Sequence, residues 1–128
     1  MDARYKDSQE PAYNNKKVEL VPNLLMKYGV AYQNSKGFTI SYNFSYTSSH
    51  YTDATNAEFS ANAVNGVIPS YWVMDLSLKQ DLGKWRFEAG CNNLTNNMYF
   101  TRRAAGYPGP GIIPSDGRNF YATVQLTL

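Results

Sequence analysis

Residues 116 to 128 of the chain read Asp-Gly-Arg-Asn-Phe-Tyr-Ala-Thr-Val-Gln-Leu-Thr-Leu. From Phe120 onward every second residue is apolar, and the residues between them are Tyr, Thr or Gln. A repeat of two residues is typical of a β-strand with one apolar and one polar face. We therefore predict a strand here, and its pattern suits the last strand of a barrel, which must pair with another strand to close it.

The most regular strand signal begins at Phe38, where apolar or aromatic residues alternate with hydroxyl or amide residues for ten positions. The even positions hold Phe38, Ile40, Tyr42, Phe44 and Tyr46, and the odd positions hold Thr39, Ser41, Asn43, Ser45 and Thr47. A soluble sandwich can show this alternation, but its strands are usually about five to six residues long, and its outer faces usually carry Lys and Glu. An uncharged polar face suits a water-filled lumen, so we predict that the even positions face lipid and the odd positions face the lumen.

Three further strands are predicted from weaker alternation: Leu24 to Gln33, Tyr71 to Leu82, and a strand from Trp85 to Asn92 that continues irregularly towards Phe100. Asp2 to Asp7 is predicted as the tail of an earlier strand, and no helix is predicted anywhere. The connections alternate between long loops (8–17, 52–70 and 101–117) and the short turns 34–37 and 81–84.

This alternation of loop lengths matches outer-membrane barrels, which have short periplasmic turns and long extracellular loops. Aromatic residues at the predicted strand ends also fit the bilayer interface, where amphipathic rings are favoured; these are Phe38, Tyr71, Trp72 and Trp85. The chain has no apolar run of about 18 residues, so no transmembrane helix is expected. No signal peptide opens the chain at Met1, so we expect a fragment whose signal lies upstream.

A family resemblance rests on Asn93-Leu94-Thr95-Asn96-Asn97-Met98-Tyr99, followed by a loop and the Asp-Gly-Arg-Asn-Phe-Tyr strand. This arrangement resembles the C-terminus of TonB-dependent outer-membrane receptors, most closely the ferric-citrate or siderophore type. Further similar segments occur in the family's order and extend the likeness over nearly the whole chain: 2–7, 21–22, 51–54 and 68–71. One departure is Leu128, where the family usually ends on an aromatic residue.

The resemblance implies an all-β fold: an antiparallel transmembrane β-barrel fragment comprising about five C-terminal strands of a barrel that usually has 22. Residues 1–128 would then be part of the barrel domain, without the plug domain or the energy-coupling segment. The expected function is uptake of a metal chelate, such as a ferric siderophore or ferric citrate, with energy from the TonB system. The implied location is the bacterial outer membrane. The implied partners are membrane lipid, lipopolysaccharide, the chelate, and the TonB complex through the absent N-terminal part.

Composition limits the other functional classes. The formal net charge is only +2 and the Lys and Arg residues are scattered, which does not favour nucleic-acid binding. His50 is the only histidine and Cys91 the only thiol. We place Cys91 on an apolar strand face and His50 at a loop edge, so no Cys-His pair is expected. We therefore predict no enzymatic activity, no catalytic residues, no metal site and no cofactor.

Two sets of charged residues remain as candidate sites. Arg102 and Arg103 lie in the predicted extracellular loop 101–117, where they could attract an anionic chelate, since the Arg fork suits carboxylates. They could instead pair with lipopolysaccharide phosphates or with Asp116. A second set on neighbouring strands is predicted to form a lumenal ladder of opposite charges with a structural role: Asp75, Lys79, Arg86 and Glu88.

Two alternatives to chelate uptake stay open at this point. One is a passive porin-like or structural outer-membrane barrel. The other is a soluble β-sandwich that binds carbohydrate through its Tyr and Trp side chains.

Overall fold

The computed structural model describes residues 1–107 and 109–128; Pro108, in the predicted loop 101–117, lies outside them. The described chain is all-β, with strands β1 (Leu25–Gln33), β2 (Phe38–Thr47), β3 (His50–Tyr51), β4 (Val67–Ile68), β5 (Tyr71–Leu82), β6 (Trp85–Asn92), β7 (Phe100–Ala104), β8 (Gly111–Pro114) and β9 (Asn119–Leu126). A single 3-10 turn spans Pro11–Tyr13 in this part of the chain, although no helix was expected. No helix among the described residues is long and apolar enough to cross a membrane.

The contacts divide the chain into two compact units. The strand unit comprises Met26–Tyr46, Trp72–Asn97 and Asp116–Leu128, and the loop unit comprises Met1–Leu25, Thr47–Tyr71 and Met98–Ser115. The strand unit contains nearly all of a five-stranded sheet in the order β1, β2, β5, β6, β9. Strands β1 and β9 are its two edges, so the sheet is open, as the sequence predicts.

The register of β5, β6 and β9 separates two faces. One face is formed by four rows: Leu76, Cys91 and Phe120; Leu78, Ala89 and Ala122; Gln80, Phe87 and Val124; Leu82, Trp85 and Leu126. The other face carries the rows of Ser77, Gly90 and Tyr121; Lys79, Glu88 and Thr123; Asp81, Arg86 and Gln125. We call these the apolar face and the polar face. Gln80 is the one amide on the apolar face within these rows.

The predicted alternation of β1 and β2 agrees with these faces. The ring of Tyr28 lies 5.0 Å from that of Phe44 and 6.4 Å from that of Tyr42, measured between centroids, so these even-numbered residues share one face. The side of the sheet that contacts lipid stays a prediction.

The apolar face is exposed to solvent in this chain. Phe120 and Val124 expose 74% and 60% of their surface, and among the described residues only Ile68 and Cys91 are buried apolar residues. A sandwich would bury such a face against a second sheet. These residues by themselves therefore do not form a self-contained soluble β-sandwich, because a folded soluble domain does not leave its main apolar face in water.

Gly90 allows a close contact on the polar face. A Cβ atom at this position would overlap the ring of Tyr121, which lies opposite on β9. A glycine inside a strand often marks such a close approach. The absence of a side chain at Gly90 lets the Tyr121 ring lie across β6, with its hydroxyl 3.3 Å from Oε1 of Glu88.

The prediction that the strand from Trp85 continues towards Phe100 is wrong. Strand β6 ends at Asn92, and the next residue, Asn93, has a positive φ of 51°. Asn tolerates this conformation and bonds nearby backbone with its side chain, which favours a turn over continued strand pairing. A separate strand, β7, begins at Phe100 and pairs with β8 rather than with the large sheet.

The loop unit is more ordered than the sequence suggests. Strands β3 and β4, of two residues each, pair with each other and enclose residues 52–66 of the predicted loop 52–70. Residues 2–7 contribute only an isolated bridge, between Arg4 and Lys17, and not the tail of a strand. Ile68, the most buried residue described, lies in this unit.

Candidate functional site

A charged cluster lies on the polar face where β5 and β6 approach their short turn. Arg86 Nε is 2.7 Å from Oδ1 of Asp81, and Lys79 Nζ is 3.6 Å from the other carboxylate oxygen of Asp81. The register places Glu88 opposite Lys79. These side chains are partly exposed, so each pair contributes little to stability. The cluster instead places positive and negative side chains next to each other on this part of the polar face, with Asp81 between Lys79 and Arg86.

The predicted ladder is therefore confirmed only in part: Lys79 and Arg86 pair with a carboxylate that is not Asp75, and Glu88 lies opposite Lys79 without forming an ion pair among the described residues. The central carboxylate is that of Asp81, which the sequence predicts to lie where the strand Tyr71 to Leu82 enters its short turn. The signal was available, because Asp81 continues the odd-numbered series of β5 beyond Lys79. Asp75 has a different role, since its Oδ1 accepts a hydrogen bond of 2.9 Å from the backbone N–H of Asn93.

Asn93, the first residue after β6, is the centre of a hydrogen-bond network that fixes the chain where it leaves this strand. Only 3% of its surface is exposed. Its side-chain oxygen accepts a hydrogen bond from Asn97 N–H at 2.8 Å, and its amide nitrogen donates to the carbonyls of Asn97 and Asp116 at 2.9 and 3.3 Å. Asn97 in turn donates to the carbonyl of Trp72 at 2.9 Å. Asn93 and Asn97 thus link the end of β6 to the first residues of β5 and to the segment that precedes β9.

A groove of about 410 Å³ lies on the strand unit beside β1, β2 and β5. Its polar lining includes the ammonium group of Lys27, the amide of Asn43 and the carboxylate of Asp75. Groups of this kind can hydrogen-bond a polar chain segment or an ordered water network.

Arg102 and Arg103 are adjacent in β7, but they differ in environment. Arg102 is exposed. The guanidinium of Arg103 donates hydrogen bonds of 2.9 Å to the carbonyls of Ala63 and Val67, and it lies 5.2 Å from the ring centroid of Phe100. Arg103 therefore holds a neighbouring loop segment, while Arg102 presents its charge to solvent.

Neither arginine pairs with Asp116 in the described part of the chain, where the ion pairs are those of Asp2 with Arg4 and of Asp81 with Lys79 and Arg86. Within these residues, no group of three or more His, Cys, Asp or Glu side chains could hold a metal ion. His50 Nδ1 lies 3.0 Å from the carbonyl of Ser48. The Tyr5 hydroxyl donates a hydrogen bond to the carboxylate of Glu19, and this bond raises the pKa of the Tyr5 phenol.

Solved structures with the same arrangement of strands are transporters and receptors. The ferric citrate transporter FecA matches 91% of this chain with a TM-score of 0.81 and 23% sequence identity. The fold is that of part of the β-barrel of such a receptor, and the barrel is not closed within these residues. The closed form of the ferric-catecholate import receptor Fiu from E. coli matches 98% of the chain with a TM-score of 0.75 and 19% identity.

The siderophore receptor PiuA from Acinetobacter baumannii matches 94% of the chain with a TM-score of 0.74 and 20% identity. The chain spans 18%, 17% and 16% of the lengths of FecA, Fiu and PiuA. Neither a protein-family model nor a curated protein sequence matches the chain significantly. The likeness to a receptor barrel thus lies in the three-dimensional arrangement of the strands.

Proposed function

We propose that residues 1–128 are the C-terminal part of the β-barrel domain of an outer-membrane transporter that takes up a metal chelate. The observation that carries this proposal is the match of 91% of the chain to the ferric citrate transporter FecA, with a TM-score of 0.81. Fiu and PiuA are likewise receptors for iron-carrying ligands or siderophores by their names. A ferric siderophore or ferric citrate is therefore the substrate class that we propose.

The open sheet supports the same proposal. Its edges, β1 and β9, leave backbone groups unpaired, and in a bilayer such groups must pair with further strands. A plugged barrel of about 22 strands satisfies this need. The TonB complex would supply energy through the N-terminal part of the receptor, which these residues do not include.

The exposed apolar face supports a location in the outer membrane, where it would contact lipid, with lipopolysaccharide near the long loops. We propose a transport role rather than an enzymatic one, because the matched structures are transporters and receptors.

Arg102 is our proposed residue for attracting an anionic chelate from outside. Its charge is permanent and its side chain is exposed on β7. Arg103 was predicted for the same role, and we propose that it contributes through its charge and through the loop segment that it holds. Pairing of Arg102 with lipopolysaccharide phosphates is the competing hypothesis.

Uptake by the full-length receptor tests the proposal. Iron-starved cells whose only chelate receptor is this protein are supplied with radioactive iron as ferric citrate or as a ferric catecholate. We expect saturable uptake of one of the two chelates, and loss of that uptake in cells without TonB. Uptake that does not saturate and persists without TonB would instead identify a passive pore.

A further inference from the structure

The chain contains a single Asn-Gly pair, Asn65-Gly66, which lies in the loop unit. An asparagine loses its side-chain amide most readily when glycine follows it, because glycine has no side chain to hinder attack by its backbone nitrogen. Asn65 is exposed to water, whereas Gly66 is buried. The reacting groups of a covalent modification are therefore adjacent at this position.

The nitrogen that would attack, that of Gly66, is held by Thr52. Gly66 N–H donates a hydrogen bond of 2.9 Å to Oγ1 of Thr52, and the same hydroxyl donates one of 3.0 Å to the Gly66 carbonyl. The backbone N–H of Thr52 donates to this carbonyl as well, at 3.1 Å. Thr52 thus satisfies both backbone groups of Gly66.

The surrounding backbone is fixed in the same way. Thr52 and Gly66 are the first residues beyond the paired strands β3 and β4. On the other side of the peptide bond, Asn65 N–H donates to Oγ of Ser60 at 3.1 Å, and the Asn65 carbonyl accepts from that hydroxyl at 2.9 Å. The Gly66 nitrogen is therefore free to attack only when this region opens locally.

We propose that Asn65 is a site of spontaneous deamidation whose rate is set by the hydrogen bonds between Thr52 and Gly66. The Gly66 nitrogen attacks Cγ of Asn65 and loses its proton to solvent, and ammonia leaves, which gives a five-membered succinimide ring. Water then adds to one of the two ring carbonyls and opens the ring, leaving aspartate or isoaspartate at position 65. The reaction consumes only water, and it requires neither a membrane nor a chelate.

Conversion changes the segment that Arg103 holds. Position 65 lies between Ala63 and Val67, whose carbonyls accept hydrogen bonds of 2.9 Å from the Arg103 guanidinium. Either product adds a negative charge to this segment, and isoaspartate also lengthens its backbone by one carbon. Because the planar fork of Arg donates in a fixed geometry, the longer backbone should disturb this contact.

The test follows position 65 in the full-length receptor, purified in detergent and kept in mildly alkaline buffer. Peptide mapping by mass spectrometry detects the change from amide to carboxyl group, and chromatography separates isoaspartate from aspartate. We expect slow conversion in the folded receptor and much faster conversion after unfolding in denaturant. Thr52→Val should accelerate conversion in the folded receptor about tenfold, because a buried N–H without its partner favours local opening by about this factor.

Two variants are matched controls. Thr52→Ser keeps the hydroxyl and should convert like the unaltered receptor. Thr55→Val makes the same chemical change at a hydroxyl that donates to Oδ1 of Asp53 at 2.7 Å, and it should leave the rate at position 65 unaltered. In Thr52→Val, the exchange of the Gly66 amide hydrogen should rise by the same factor as the conversion, because both need the same opening.

Conversion that is as fast in the folded receptor as in the denatured one would overturn the proposal, and so would a denatured receptor that does not convert at position 65. Both comparisons use the unaltered receptor, so they decide the matter even if Thr52→Val does not fold. Equal acceleration by Thr52→Val and Thr55→Val would also overturn the proposal, because the effect would then come from the general stability of the loop. None of these outcomes depends on whether the receptor transports a chelate.

Discussion

Two neighbouring arginines show how far identical side chains can differ in role. The guanidinium of Arg103 donates hydrogen bonds to the carbonyls of Ala63 and Val67, whereas the side chain of Arg102 is exposed. Arg is suited to the first role because its planar fork can donate to two acceptors at once. Gly66 lies against this guanidinium and has a φ of 147°, so a side chain there would be strained and would press on Arg103.

The change Arg103→Gln should loosen the segment that precedes β4. Hydrogen bonds to charged groups contribute about 1.5 to 3 kcal/mol each, and partial exposure reduces this to roughly 1 to 2 kcal/mol for the site. We expect the amides of Gly66 and Val67 to exchange hydrogen about 5- to 30-fold faster in the full-length receptor. Hydrogen exchange measured by mass spectrometry checks this.

Arg102→Gln is the matched control, because it removes the same charge without removing these bonds. It should leave the exchange of Gly66 and Val67 unchanged but weaken chelate binding at low salt, and this weakening should fade as salt rises. If binding is unaltered at every salt concentration in a normally inserted receptor, Arg102 is not part of the attraction site.

At the scale of the element, successive residues of each strand in this sheet point to opposite faces. In β2, Phe44 shares a face with Tyr28, while a Cβ atom at Gly29, the next residue of β1, would overlap Oδ1 of Asn43, the neighbour of Phe44. The same substitution therefore places its side chain on opposite faces of the sheet when it is made at two successive positions.

The changes Phe44→Arg and Ser45→Arg exploit this difference in the full receptor. Phe44→Arg should cost roughly 2 to 4 kcal/mol if the residue lies near the midplane of the bilayer, because it places a charge in lipid. Ser45→Arg should cost far less, because lumenal water can solvate the guanidinium. Unfolding by denaturant in lipid vesicles measures both. Equal costs would refute the assignment of even positions to lipid.

At the scale of the whole molecule, the described chain is a sheet with two unpaired edges and an exposed apolar face. Large exposed apolar patches and free edges both promote association. We therefore expect the segment to need further strands to pair with its edges and lipid to cover its apolar face.

The isolated polypeptide of residues 1–128 should therefore aggregate in plain buffer or require detergent. Analytical ultracentrifugation and chemical unfolding check this expectation. A monodisperse monomer that unfolds cooperatively without detergent would contradict this expectation and would favour the soluble β-sandwich.

The sequence by itself determined the strands of the sheet, their two faces and their short turns. Alternation with a period of two is a local property, since it depends only on the direction in which successive side chains point. For this reason the predicted bounds of β2 and β5 agree with the structure, and those of β1 differ by one residue. The segment 93–99 also carries the family resemblance, because it is a local sequence motif.

Only the tertiary structure decided which charged groups meet. Lys79 and Glu88 lie on different strands, so only the register places them opposite each other, and the same register brings Arg86 of β6 to Asp81 of β5. The hydrogen bonds of Asn93 with Asp116 and of Arg103 with Ala63 likewise join residues more than twenty positions apart. A local pattern holds no information on such contacts, because their geometry exists only once the strands are paired.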